Sequence, residues 1–188
     1  IIAYFSEQIP IRRARGGGDD LFSQLCHATH EDGALLTTQD IVDHMSFLMM
    51  AAHDTLTSSL TSFVGELAAH PEWQQKLREE VMNLGLTADA PTSFDDLEAM
   101  SLTEMAFKEA LRLKPPVPSI PRRAIRDFTF NGYAVPAGTL VGINPLFTHS
   151  MPDIWPEPEK FDPLRFTDEA QRDRHRFAWV PYGGGAHM

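Results

Sequence analysis

Cysteine is almost absent from this sequence of 188 residues, which contains only Cys26. A single cysteine excludes an internal disulfide and fits a reducing compartment. Long hydrophobic runs are also lacking. The longest run near the middle, residues 45–52, is followed by His53 and Asp54 and falls far short of the roughly 20 apolar residues that a membrane-spanning helix needs.

Basic residues are few compared with acidic ones. The chain has 16 Lys and Arg against 26 Asp and Glu, which gives a net charge of −10. This balance argues against a nucleic-acid-binding protein, because phosphate binding needs a basic surface. A hydrophobic content of 43% is enough for one ordinary core. We therefore predict a single domain over residues 1–188, with no nucleic-acid partner.

Neither end of the sequence resembles a natural terminus. The chain begins at Ile1 inside a predicted helix and stops at Met188, just after the glycine run 183–185. We expect a domain truncated at both ends. Because the true start is then missing, a membrane anchor cannot be judged from the sequence, and a cytoplasmic location is expected only if the source is bacterial.

Helical periodicity dominates the first part of the chain. Aspartates at 19–20 predict the start of a helix that ends near His30, and threonines at 37–38 predict the cap of a longer one. In this longer helix, apolar residues recur at helical spacing until Pro71. A run of roughly thirty residues far exceeds the usual helix length, so we expect this helix to cross the whole domain.

Shorter elements follow. Helices are predicted over 71–84, in a short stretch at 93–99, and over 101–113, where Ser101 and Glu104 have the spacing of a capping box. Beyond residue 122 the pattern predicts a hairpin around Asn131-Gly132 and a strand over 139–143. The predicted fold class is mainly α with a small antiparallel β-sheet.

Three segments carry possible chemistry. The first, Ala51-Ala52-His53-Asp54-Thr55, places small residues, an acid and a hydroxyl at the midpoint of the long helix. Small residues let a flat ligand approach the backbone, and such hydroxyls bond the carbonyl four residues back. Taken alone, this run fits a buried helix with internally satisfied hydroxyls better than it fits a ligand site.

The second segment contains Glu109 and Arg112, which lie three apart on one predicted helix face. A surface ion pair of little energetic value is the ordinary interpretation. The third segment, residues 177–188, contains three glycines that permit positive backbone dihedrals and close approach to a cofactor. A flexible loop or an artificial tail would show the same composition.

The order and spacing of these segments resemble the cytochrome P450 family over essentially the whole chain. Residues 51–55 resemble the oxygen-binding motif of the family, with Ala52 in place of the usual glycine. Glu109 and Arg112 match its Glu-x-x-Arg motif. The resemblance implies the P450 fold, here the part that runs from the long central helix to the haem-binding loop.

Two later segments extend the resemblance. Residues 161–166 resemble the Pro-Glu-Arg-Phe region of the family, with Leu164 in place of the acidic residue. Residues 182–188 resemble the haem-binding loop, with Tyr182 in place of the usual phenylalanine. The position after Met188 is where the family carries its haem-ligating cysteine, so no metal ligand is expected within this chain.

The resemblance implies a role for each matched residue. Asp54 and Thr55 would supply protons during oxygen activation. Haem b would be contacted by Ala51, Ala52, Arg122, Tyr182, Gly183, Gly185 and His187. A structural triad would consist of Glu109, Arg112 and Arg165. The substrate pocket would be lined by Phe47, Leu48, Val117, Ser119 and Ile120.

The activity that the resemblance implies is a haem-thiolate monooxygenase, which inserts one oxygen atom from O2 into a hydrophobic molecule. Electrons would come from NAD(P)H through a ferredoxin or a flavoprotein reductase. A basic cluster of Arg172, Arg174 and Arg176 could face such an acidic partner, although an ordinary solvated run has the same sequence. Without the thiolate, the chain itself is expected to be inactive.

Other functions stay open at this point. A P450-like peroxygenase or isomerase, or a helical remnant of the fold without catalysis, would share these motifs. Cys26 has no glycine loop around it and is not expected to bind haem. Two histidine pairs, His27 with His30 and His44 with His53, could bind a metal, but satisfied or solvated histidines fit their spacing better.

Overall fold

A computed structural model describes residues 1–87, 89 and 91–184 of the chain. The chain divides into two compact units, Ile1–Leu56 and Thr57–Met188, and the division falls within the longest helix. Among the described residues, no helix is long and apolar enough to cross a membrane.

The first unit contains α1 (Ile2–Ala14), α2 (Leu21–His27) and the beginning of α3 (Thr38–Ala69). Asp20 caps α2 by accepting a hydrogen bond from the backbone N–H of Ser23, as the sequence predicts. The predicted end near His30 is wrong. Residue 28 is already extended, and a turn at 30–34 leads the chain back through a bridge between residues 29 and 35.

The core of this unit is apolar and includes the chain's cysteine. Its buried members pack α1, α2 and the start of α3 together: Phe5, Ile9, Phe22, Cys26, Leu36, Ile41 and Val42. Burial raises the pKa of the Cys26 thiol, because desolvation outweighs the opposing charge of Arg13. Cys26 therefore belongs to a hydrophobic core and is a poor thiolate.

The long helix, α3, spans 32 residues without interruption. Its start is fixed by a reciprocal cap, in which Asp40 N donates to Thr37 Oγ1 and Thr37 N donates to the Asp40 carboxylate. The serine and threonine run in its second half does not break the helix. The predicted length and the cap within residues 37–38 agree with the structure.

Three further helices follow in the second unit: α4 (Pro71–Asn83), α5 (Phe94–Ala99) and α6 (Ser101–Leu113). The predicted capping box at Ser101 is wrong. Ser101 is the first helical residue, and no side chain of residue 100 caps α6. The Glu80 carboxylate of α4 instead accepts the free N–H groups of Leu102 and Thr103. A tertiary contact has replaced the local cap.

The strands form two small antiparallel sheets and not one. Strand β1 (Ile120–Arg123) pairs with β4 (Leu140–Ile143), and β2 (Phe128–Phe130) pairs with β3 (Tyr133–Val135) around Asn131-Gly132. Both turn residues have positive φ, which this hairpin turn requires. The fold class is confirmed, although β1 was not predicted, because its proline and two arginines hide any alternation.

Short elements connect the sheets to the end of the chain. They are α7 (Pro145–His149), a 3-10 turn (Pro163–Phe166) and α8 (Asp168–Gln171). The stretch around Trp155 is irregular, as predicted, and its indole lies in a small core with Phe166 and Ala178. This core supports the segment that enters the glycine loop.

Candidate functional site

The second unit contains a buried carboxylate, that of Glu109, which α6 and the segment 162–165 share. Arg112 Nε donates to Glu109 Oε2 at 2.7 Å, and its Nη2 donates to Oε1 at 2.9 Å. The backbone N–H of Asp162 also donates to Oε1, at 2.9 Å, and Arg165 Nε lies 3.3 Å from the same oxygen. Because both α6 residues are at most 1% exposed, this is not a surface pair.

Arg112 extends the cluster to further segments. Its Nη1 donates to the carbonyl of His149 at 2.7 Å, and its Nη2 reaches the carbonyl of Lys160 at 3.2 Å. The guanidinium also lies 5.2 Å from the ring centre of Trp155, which is fully buried. One side chain of α6 therefore holds α7 and the irregular segment in place.

The predicted basic cluster does not form one exposed surface. The guanidinium of Arg174 lies 4.0 Å from the ring centre of Trp155, and burial lowers the pKa of Arg174. Arg172 is exposed, and Arg176 covers the ring of Phe177 at 4.5 Å. Arg174 is thus a packing residue of the core, which the charge pattern alone could not reveal.

His149 joins the carboxylate cluster to the segment before the glycines. Its side chain is fully buried, its Nδ1 donates to the Arg112 carbonyl at 3.2 Å, and its Nε2 accepts the N–H of Val180 at 2.9 Å. Burial, assisted by the Arg112 charge, lowers the pKa of His149 to about 4, against a weaker opposing effect of the backbone hydrogen bond. The ring is therefore neutral near pH 7. Sequence reasoning missed it, because a lone histidine has no spacing signal.

The glycine loop packs closely against its neighbours. Gly183 has φ of +97°, and a methyl group in place of its hydrogen would lie 3.0 Å from Ile120 Cδ1. At Gly184 such a group would lie 3.2 Å from the ring of Phe177. Beside these glycines lies a cavity of about 460 Å³, with walls formed by Ile143, Thr148, Phe177, Val180, Gly183 and Gly184.

Two other residues of this unit that are predicted to contact haem, Tyr182 and Arg122, are exposed. The Tyr182 ring is exposed, and its hydroxyl lies 3.3 Å from Oγ of Ser59, which is itself buried in α3. Arg122 is exposed on β1, and among the described residues its guanidinium bonds only the carbonyl of Pro121. Gly185 and His187 lie outside the described residues.

The predicted oxygen-binding segment lies on α3. Ala51, Ala52 and Asp54 are exposed, and Thr55 is half-buried. The hydroxyl of Thr55 donates to the carbonyl of Ala51 at 2.9 Å, one turn back. Asp54 also borders a cavity of about 560 Å³ in the first unit. The acid and the hydroxyl are adjacent in sequence on a continuous helix.

The predicted substrate-pocket residues fall in both compact units. In the first unit, Phe47 and Leu48 are 60% and 38% exposed on α3. In the second unit, Val117 is half-buried and Ser119 is exposed. Ile120 is buried against the glycine loop, so it supports that loop.

Both histidines of the first pair considered for a metal have other partners. His27 Nδ1 lies 2.9 Å from the Ser23 carbonyl, and His30 Nε2 lies 3.4 Å from the Asp40 carboxylate. His44 and His53 are exposed on α3. In the part of the chain that the structure describes, no three His, Cys, Asp or Glu side chains form a metal site.

Comparison with known proteins decides the family. The family model described as Cytochrome P450 matches residues 8–188. The chain belongs to the cytochrome P450 family. Over 185 residues it is 43% identical to cytochrome P450 136 of Mycobacterium tuberculosis, an alignment that covers 98% of this chain and 37% of the relative. It is 38% identical over 169 residues to a pig (Sus scrofa) taurochenodeoxycholic 6 alpha-hydroxylase, covering 89% and 33%.

A solved structure supports the same P450 assignment. The retinoic acid bound cyanobacterial CYP120A1 superposes with a TM-score of 0.85 at 35% identity, over 98% of this chain and 42% of that chain. The fold is therefore the P450 fold, and the family is one of haem-dependent oxidoreductases. The chain spans about a third of the length of the curated relatives that it matches.

The described residues fit a haem group. The cavity beside the glycine loop has apolar walls from Ile143, Phe177 and Val180, which suit a porphyrin face. Arg122, exposed and without an acidic partner among the described residues, has its charge available for a propionate.

Proposed function

We propose that the whole protein is a haem monooxygenase that inserts one oxygen atom from O2 into a hydrophobic organic substrate. The observation that carries the proposal is the adjacent acid and hydroxyl, Asp54 and Thr55, on the long helix of a P450 chain. A peroxygenase or an isomerase has no need for a path that delivers protons to dioxygen. We further propose that residues 1–188 are part of a single P450 domain.

Haem b is the proposed cofactor, and this chain would supply one side of its site. The proposed contacts are those of the sequence prediction: Ala51, Ala52, Arg122, Tyr182, Gly183, Gly185 and His187. When bound, haem supplies the activation of dioxygen, and a thiolate ligand favours cleavage of the O–O bond. The apolar cavity beside Gly183 and the exposed guanidinium of Arg122 support this assignment.

Thr55 and Asp54 have a proposed role in proton delivery. The Thr55 hydroxyl has one proton to donate, and it now donates to the Ala51 carbonyl at 2.9 Å. Rotation about χ1 would release this proton toward a bound ligand. Asp54 is exposed, so its carboxylate can exchange protons with water and restore the hydroxyl network.

Glu109, Arg112 and Arg165 have a proposed structural role. Their cluster is buried and bonds backbone groups of α7 and of the segment 160–162, which supports a structural role over contact with a substrate. Its position supports a function in holding the segment that leads to the glycine loop.

The proposed substrate is a hydrophobic molecule, and NAD(P)H is the proposed electron source through a ferredoxin or a flavoprotein. Two relatives have names that indicate amphipathic acids: one is bound to retinoic acid and the other is a taurochenodeoxycholic 6 alpha-hydroxylase. These names support screening fatty, retinoid and steroid acids first. Phe47, Leu48, Val117 and Ser119 remain candidates for the pocket wall, whereas Ile120 would act through the loop.

Isotope labelling tests the proposed reaction. The whole protein is given a reductase system, a candidate substrate and isotopically labelled dioxygen, and the product is analysed by mass spectrometry. A monooxygenase yields product with one labelled oxygen and requires NAD(P)H. Product that forms only when unlabelled hydrogen peroxide is added, and that contains no label from dioxygen, indicates a peroxygenase. An isomerised product without label indicates an isomerase. Either result would reject the proposal.

A further inference from the structure

We propose that His149 is a proton-sensitive positioning residue for the haem loop: as the neutral imidazole it holds Val180, and protonation releases the turn that carries Gly183. This inference rests on the proposed haem site. It concerns a residue with no place in the sequence motifs, and it links α7 to the loop through side-chain chemistry.

Two hydrogen bonds fix which ring nitrogen of His149 has the proton. Nδ1 faces the Arg112 carbonyl at 3.2 Å, and a carbonyl only accepts, so Nδ1 carries the proton. Nε2 lies 2.9 Å from the backbone nitrogen of Val180, and because an N–H only donates, Nε2 must be the unprotonated acceptor. One neutral tautomer satisfies both neighbours, and the imidazolium satisfies only one.

Val180 also forms a hydrogen bond through its other backbone group. The Val180 carbonyl accepts the N–H of Gly183 at 3.0 Å, and this bond closes the turn that ends at Gly183, whose own φ is positive. His149 therefore holds Val180 through its backbone N–H, and the carbonyl of Val180 closes the turn. Loss of the His149 contact frees Val180, and the turn loses its anchor.

The charges around the ring also bear on its protonation. The same cluster contains Arg112 and Glu109 of α6, then Arg165 and Arg174, and Arg112 is the cation that acts on His149. Glu109 is already engaged by two arginines, so a proton on His149 would add a buried charge with no free counter-ion beside it. Both charge and geometry therefore favour the neutral ring.

The sign of the pH effect follows from the lowered pKa. The ring takes up a proton at about pH 4 when packed and near 6.5 when released. The packed loop is thus favoured fully above pH 6.5, and it is lost progressively as the pH falls toward 4. Within that window, each decrease of one pH unit raises the ratio of released to packed loop by up to about tenfold.

The test uses the whole haem-loaded protein and the variant His149→Gln. Glutamine keeps one donor and one acceptor but cannot take up a proton. The measurement is the rate at which haem passes to excess apomyoglobin between pH 7 and pH 4.5. In the wild type, the rate of haem transfer should rise steeply as the pH falls. In His149→Gln this rise should be smaller, by up to about tenfold for each pH unit. His44→Gln, which changes an exposed histidine on α3, should keep the wild-type slope.

Equal acid slopes for the wild type and His149→Gln would overturn the proposal. If His149→Gln fails to fold, nitrogen NMR of labelled histidine in the diamagnetic ferrous-carbonyl wild type decides. A neutral ring with the proton on Nδ1 at pH 6 supports the proposal, and an imidazolium there refutes it. A wild type that binds no haem at pH 7 would contradict the proposed function instead, so the two failures are distinguishable.

Discussion

Replacing Glu109 by glutamine is the sharpest test of the buried cluster. The carboxylate accepts three hydrogen bonds, from two nitrogens of Arg112 and from the backbone of Asp162, and it also balances Arg165 at 3.3 Å. Glutamine has the same shape, so no cavity forms, but two buried guanidinium groups lose their counter-charge. Breaking a buried pair in this way costs about 3 to 5 kcal/mol. Since whole domains are stable by only about 5 to 15 kcal/mol, we expect severe loss of folded, haem-loaded protein.

The assay is urea unfolding of the whole protein, read by far-UV circular dichroism, with haem content measured in parallel. Glu104→Gln is the matched control on the same helix, because Glu104 pairs with Lys108 at 2.6 Å but is 61% exposed. This exposed pair should contribute less than about 1 kcal/mol. If the free energy of unfolding of Glu109→Gln lay within about 1 kcal/mol of the wild-type value, with full haem occupancy, Glu109 would not be the essential counter-charge of the two arginines.

Three further predictions concern other parts of the chain. Thr55→Ala in the whole protein should retain haem and substrate but divert reducing equivalents to hydrogen peroxide, measured as NAD(P)H consumed per product; unchanged coupling would contradict proton delivery by Thr55. The Cys26 thiol, buried and with a raised pKa, should react with maleimide only after denaturation, and fast labelling of the native protein would show that this core is open. Arg174→Ala should lower the free energy of unfolding by about 1 to 2 kcal/mol through loss of its contact with Trp155, whereas Arg172→Ala should change it by less than about 0.5 kcal/mol; equal effects would contradict the packing role of Arg174.

Local signals predicted the parts of the fold that depend on local chemistry. The α3 helix has a clear apolar period and a capping residue at Thr37, and both survive in the structure. The hairpin at Asn131-Gly132 depends on positive φ at two positions, and the Asn-Gly dipeptide predicts such a turn. Such features are decided within a few residues, so sequence reasoning reaches them.

Features that depend on tertiary partners could not be predicted in the same way. Ser101 has a capping-box spacing, yet Glu80, which precedes it by 21 positions, takes over the helix start through α4. Arg174 has the charge of a surface residue, yet its guanidinium packs over the ring of the buried Trp155. His149 has no periodic or motif signal at all. In each case the deciding neighbour is distant in sequence.

In the candidate site too, local signals were predictable from the sequence and tertiary contacts were not. The Glu109 and Arg112 pair was predicted from spacing, but its complete burial and its bonds to the carbonyls of His149 and Lys160 come from packing. The family resemblance implied that Ile120 is part of a substrate pocket. The structure adds that its side chain packs close to Gly183, which only the folded chain could show.

The ferrous-carbonyl absorption spectrum of the whole protein tests the central claim most directly. We propose that the glycine loop of the whole protein contacts a haem whose iron has a cysteine thiolate ligand. Reduction under carbon monoxide should therefore give the absorption band after which the P450 family is named. A carbonyl band at the wavelength of histidine-ligated haem would contradict the haem-thiolate assignment.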